Sequence, residues 1–83
     1  MKMYYISNLL KRFDTLRVTP VENHNKLEEL LLEVRAVING KKENKDNKYF
    51  IEILEFISDE IYFVKNEALQ DDKEVKLWVR NLN

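Results

Sequence analysis

Residues 49–69 read YFIEILEFISDEIYFVKNEAL. Phe50, Leu54, Ile57, Ile61, Val64 and Ala68 recur in this stretch at alternating steps of four and three. At about 100° per residue they share one side of a helix. Ile53 widens that side. Phe56 and Phe63 lie seven residues apart on one flank, and Ile51, Tyr62 and Leu69 on the other. Only Glu52, Glu55, Asp59 and Asn66 form a plainly polar strip. A helix this apolar on so many sides needs several covering neighbours. The rest of the chain is therefore expected to supply them.

The size and composition suit that expectation. Eighty-three residues make one helical-bundle domain, taken as 1–83. A chain this short buries only about 60% of its unfolded surface, so its core is thin. One glycine and one proline are too few turn-formers for an all-β fold. The formal charge is −1, which opposes a nucleic-acid module. Residues 1–48 carry ten Lys or Arg and seven acids, and residues 49–83 carry four and eight. The two parts are thus oppositely biased, which would help them orient on docking. With no cysteine, disulfides, thiolate zinc sites and cysteine nucleophiles are excluded, and a reducing cytoplasm is the expected location. No apolar run is long enough for a membrane span. The start, MKMYYISNLLKRF, is not expected to be a secretory signal, because Ser7 and Asn8 break its apolar run and no small-residue cleavage site follows.

Four helices are expected, at about 3–17, 20–39, 47–69 and 72–82, joined by short connections into an antiparallel four-helix bundle, an all-α fold. In the first, Ile6, Leu9, Leu10, Phe13 and Leu16 recur at helical spacing, with Lys11, Arg12 and Asp14 opposite. Tyr4 and Tyr5 are expected to be partly exposed. Thr19-Pro20-Val21-Glu22 predicts a capping box with proline at the first helical position, opening the second helix. Asn23 or Asn25 is the alternative cap, for a later start after one short turn. The second helix then offers Leu27, Leu30, Leu31, Val34, Val37 and Ile38 as its stripe, and Asn39-Gly40 is expected to end it with a left-handed glycine. Residues 40–48, GKKENKDNK, hold no apolar side chain and four lysines against two acids. They form a solvated connector, with weak contact to an anionic membrane surface as the second reading. Asp46 or Asn47 can cap the third helix. Gln70-Asp71-Asp72 is expected to break it, with Asp71 and Glu74 opening a fourth helix that carries Val75, Trp78, Val79 and Leu82.

Little in the chain speaks for catalysis. His24 is the only histidine, so a histidine zinc set is impossible, and it is expected at the surface. Glu52, Glu55, Asp59 and Glu60 are spaced like a di-metal helix but lack the Glu-x-x-His partners, which leaves a solvated acidic strip. Ser7, Ser58 and the threonines have no suggestive histidine context. One glycine rules out a phosphate loop. No enzyme, catalytic residue, metal or cofactor is expected. The aromatics are more informative. Phe13, Phe50 and Phe56 are expected in the core, whereas Tyr4, Tyr5, Tyr62, Phe63 and Trp78 exceed what a thin bundle can cover, and exposed aromatics often anchor partners. Trp78 is open to two readings, as a clamp on the last helix or as an anchor.

With these elements placed, residues 9–82 resemble the immunity proteins of pediocin-like (class IIa) bacteriocins, the enterocin A immunity family. The resemblance lies in Leu27, Leu30, Leu31, Val34, Ile38 and Gly40, then Ile51, Leu54, Ile57, Ile61, Tyr62 and Asn66, then a short amphipathic end near Leu82. The chain departs from the family in having Asn66-Glu67 for a common Asn-Lys, and Asp71-Asp72 where a proline often opens the last helix. The resemblance implies self-protection of a bacteriocin producer. The implied partner is the mannose phosphotransferase permease with bacteriocin bound, met from the cytoplasm at the inner face of the membrane. It implies a contact surface on Lys73, Lys76, Trp78, Arg80, Asn81 and Asn83, adjoined by Tyr62, Phe63 and Asn66. A monomer is favoured on this reading. The alternative is a generic helical interaction module, such as a phage-encoded inhibitor, an antitoxin-like partner or a regulatory subunit, with an exposed apolar patch that a homodimer would bury. Nucleic-acid binding through Lys41, Lys42, Lys45 and Lys48 is opposed by Glu43, Asp46 and the net charge.

Overall fold

The chain folds as an all-α protein in the computed structural model, which describes the backbone of residues 2–41 and 45–82 and the side chains of 3–41 and 46–68. Three α-helices are described: α1 (Lys2–Leu16), α2 (His24–Lys41) and α3 (Lys48–Leu82), with one 3₁₀ turn (Lys45–Asn47) leading into α3. α1 and α2 form an antiparallel hairpin, and α3 returns antiparallel to α2. The register of that return is set by two contacts: the ammonium of Lys41 lies 6.0 Å from the Phe50 ring, and Lys65 meets Glu28 near the other end. α3 packs mainly on α2, with α1 against both.

Apart from Leu10 and Ile53, which are exposed, the expected stripes supply the observed core. Ile6, Leu9 and Phe13 of α1, Leu27, Leu30, Leu31, Val34 and Ile38 of α2, and Phe50, Leu54, Ile57 and Ile61 of α3 form one buried cluster. Leu16, Val37 and Val64 sit half-buried at its edge. Each fully buried Leu or Ile stabilises the fold by about 1.5–3 kcal/mol. Leu9, Leu27, Leu31, Leu54 and Ile61 are wholly enclosed. The hydrophobic spacing therefore dictates which faces meet.

Polar contacts then fix how α1 sits on α2. Arg12 donates from both terminal nitrogens to the Glu33 carboxylate, at 2.9 and 3.0 Å, and the Tyr5 hydroxyl donates to the same group at 3.0 Å. Tyr5 and Arg12 are seven residues apart, so two turns of α1 grip one acid of α2. The hydrogen bond from Arg12 holds Glu33 below the usual carboxylate range. Burial, and then the bond to Glu33, pushes the Tyr5 phenol up to about 12. The Tyr5 ring also meets Phe50 at 6.3 Å, tilted by 54°. Arg12, read from the sequence as an outward cation, thus spans the hairpin, since a planar fork matches a carboxylate at two points.

Three expected boundaries move. The capping box at Thr19–Glu22 does not open α2, and residues 20–23 are turn. Asn23 is the cap instead. Its carbonyl accepts the first intrahelical bond from Leu27 at 2.8 Å, and its side-chain amide donates to the Leu16 carbonyl at 3.2 Å and to Thr19 Oγ at 3.0 Å. One asparagine thereby serves the carboxy end of α1 and the start of α2. Gly40 does not end α2. The helix continues to Lys41 without a positive φ, so the left-handed stop is not used. The break expected at Gln70-Asp71-Asp72 is absent as well, and the separate helices expected at 47–69 and 72–82 are one continuous backbone element. None of those three residues is Gly or Pro, and Asp disfavours a helix interior by only about 0.7 kcal/mol. The packing of Val75, Trp78, Val79 and Leu82 as a fourth helix lies outside the described side chains.

Two outcomes test this architecture. No atom lies within 4 Å of a β-carbon built on Gly40, so Gly40→Ala is expected to stabilise the chain by about 0.5–1 kcal/mol in denaturant titration. A loss of stability would contradict a helical Gly40. The raised Tyr5 phenol means that the folded state favours the neutral form. Its contribution is complete below the ordinary value of 10.0 and is lost as pH rises through about 12. Tyr5→Phe should remove a late step from the tyrosine absorbance titration and flatten the stability loss across that window. A titration curve unchanged above pH 10.0 would contradict the Tyr5–Glu33 bond.

Candidate interaction surface

Several titratable side chains tie the helices together. Among the described residues no group of three His, Asp or Glu is placed to hold a metal ion. Glu52, Glu55, Asp59 and Glu60 are all exposed. Ser58 is buried and donates to the Glu55 carbonyl one turn back, at 2.9 Å. His24, expected at the surface, is half-buried at the start of α2, and its Nε2 is covered without a hydrogen-bond partner. Among the described residues, no helix is long and apolar enough to cross a membrane.

The unusual feature is the apolar surface left over. α2 covers one side of α3, and the shorter α1 covers part of a second. On the far flank Ile53 is 40% exposed, Phe56 67% and Phe63 58%. Steps of three and seven put these three in one line on the helix surface. Leu10 of α1, 42% exposed, faces the same line across a groove of about 440 Å³. Phe13 and Ile57 line that groove with Leu10, Ile53 and Phe56, and Asp14, Arg17 and Glu60 contribute its exposed charges. Arg17 is engaged within it: its guanidinium lies 5.2 Å from the Phe13 ring, and it approaches Asp14 at 3.9 Å. Phe56, expected in the core, is therefore a surface residue. α1 lies too far round the bundle to cover it, although Leu10 and Phe13 run level with it along the groove.

Of the sequence-derived site residues, Tyr62, Phe63 and Asn66 have described side chains. Tyr62 lies on the opposite flank of α3 from Phe63. Its ring is approached by Arg35 of α2 and by Lys65, each at 5.8 Å. Lys65 is largely buried and donates to Glu28, whose carboxyl that hydrogen bond holds below its ordinary range. Tyr62 thus joins a cation-bearing α2–α3 seam, with Asn66 half-buried next along the same flank. Phe63 belongs to the groove flank. The side chains of Lys73, Lys76, Trp78, Arg80 and Asn81 lie outside the described residues, as does Asn83 entirely.

Sequence reasoning passed over Leu10, Ile53 and Phe56 as surface. The signal for them was present in the seven-residue spacing of Phe56 and Phe63, which places both well off the Leu54–Ile61 line. No family model, curated protein or solved structure matches the chain.

If the groove is a working surface, its aromatics can be removed without unfolding the chain. Phe56→Ala is expected to cost less than about 1 kcal/mol in stability. Leu54→Ala, two residues away and fully enclosed, should cost about 2–5 kcal/mol. Equal losses in chemical denaturation would mean that Phe56 is core.

Proposed function

We propose that the chain works by protein–protein contact, as an immunity protein against a pore-forming class IIa bacteriocin. The observation that carries the contact class is the exposed line of Ile53, Phe56 and Phe63 beside Leu10. Contiguous exposed aromatic and aliphatic side chains are characteristic of binding surfaces. The immunity role comes from the resemblance of residues 9–82 to the enterocin A immunity family. In this reading the protein is cytoplasmic and engages the bacteriocin-bound mannose phosphotransferase permease at the inner face of the membrane, without an enzymatic step or cofactor. This reading requires residues 72–82 to leave the continuous α3 and fold back as the fourth helix of an antiparallel bundle. Lys73, Lys76, Trp78, Arg80, Asn81 and Asn83, with Tyr62, Phe63 and Asn66 adjoining, carry partner contact. The basic character of that end suits a negatively charged leaflet or the loops of a membrane protein.

A second reading is supported by the same exposed flank. The chain is a helical interaction module that covers Phe56 and Phe63 by self-association, acting as an inhibitor, an antitoxin-like partner or a regulatory subunit.

Expression in a bacteriocin-sensitive strain tests the first reading. Tolerance to one or a few pediocin-like peptides should rise, and Trp78→Ala should weaken that protection while helix content stays nearly constant. No change against a broad panel of such peptides would overturn it.

A further inference from the structure

We propose that the groove between α1 and α3 is filled by residues 72–82 of a second copy of this chain, the two copies exchanging their carboxy-terminal helical segments. The proposal rests on the self-association reading and not on the immunity reading. Three observations lead to it.

The first is length. At 1.5 Å per residue, α3 is about 52 Å long and α2 about 27 Å. Lys65 of α3 already lies beside Glu28, within the first turns of α2, and Ala68 is the last buried residue described. About 21 Å of α3 backbone, residues 69–82, therefore continues beyond the start of its partner helix. A helix unbroken through Gln70-Asp71-Asp72 cannot double back onto its own groove.

The second is pattern. Val75, Trp78, Val79 and Leu82 recur at helical spacing over residues 72–82. Val75 to Leu82 spans eight residues, as do Ile53 to Glu60, the α3 residues that line the groove. An apolar stripe and an apolar groove of equal length are thus present in one chain, on backbone that holds them apart.

The third is charge. Asp14, Arg17 and Glu60 are exposed in the groove and leave it one net negative charge, and Glu67 follows Glu60 by two turns along α3. The segment that would enter carries Lys73, Lys76 and Arg80 against Asp72 and Glu74, a net charge of +1. Opposite signs favour docking and set its direction. An exchanged segment runs antiparallel to the α3 it covers, in the place a fourth helix of the same chain would take. A two-fold axis then passes near residues 67–68, and each copy gives one segment and receives one, which closes the assembly at two.

The chain contains no cysteine, so introduced thiols report proximity cleanly. Full-length Phe56→Cys and Val79→Cys variants are prepared separately, mixed and oxidised, and the unmodified chain is sedimented in parallel. The expected results are a particle of twice the 10.1 kDa chain mass and a covalent dimer that forms from the mixture far more than from either variant alone. Phe56→Asp should weaken the dimer about tenfold or more with helix content retained. A chain that sediments as a monomer at all concentrations overturns both the exchange and the self-association reading. A dimer in which the mixed variants form no more covalent dimer than either variant alone overturns the exchange and leaves self-association standing. Neither result depends on bacteriocin tolerance, so the immunity reading stands or falls separately.

Discussion

The apolar surface of α3 is wider than α1 and α2 together can cover, and the rest of the structure follows from how that surface is shared. Leu54, Ile57 and Ile61 are buried because both neighbours reach them. Ile53, Phe56 and Phe63 are not, because α1 ends at Leu16 and lies to one side. In a domain whose net stability is of the order of 5–15 kcal/mol, several large apolar side chains left in water are a sizeable fraction of what burial could contribute. That imbalance leaves an apolar flank facing solvent.

The polar contacts act on orientation more than on stability. Glu33 receives Arg12 and Tyr5, and Glu28 receives Lys65, so one acid of α2 faces each neighbouring helix. Partly exposed pairs contribute little net free energy. They do select one rotation of each helix, and it is this rotation that turns Phe56 outward. Asn23 adds a constraint at the hairpin corner by bonding to the last turn of α1 while capping α2. A thin core is held in one register by a few well-placed side chains.

Much of this was legible in the residues themselves. The stripes Leu27–Ile38 and Phe50–Ala68 name the buried faces of α2 and α3 almost residue for residue, because burial follows the helical period. The helix ends were less legible. Thr19-Pro20 and Asn39-Gly40 carry strong local signals, but Asn23 can satisfy two helix ends at once, and no tertiary contact requires Gly40 to turn. Two aspartates were given the weight of a helix breaker, although their intrinsic penalty is small. The candidate surface was half legible. Phe63 was placed outside because the aromatics exceed what a thin bundle can cover, whereas Phe56 was assigned to a core that α1, lying to one side, does not provide. That Tyr62 and Phe63, adjacent in sequence, serve opposite flanks follows from the helix geometry and needed only the position of α2 to see.

Covering the outer flank of α3 is the central physical problem that this chain poses, and the amides of residues 72–82 report how it is solved. A helical segment of that length without a packed face is marginal in water, so its amides should exchange quickly with solvent. Hydrogen exchange measured over a range of protein concentrations is the most direct test. Coverage by a second copy is expected to make protection of residues 72–82 rise with concentration, while the amides around Leu54 and Ile61 stay protected throughout. Protection of 72–82 that is the same at every concentration would contradict the account.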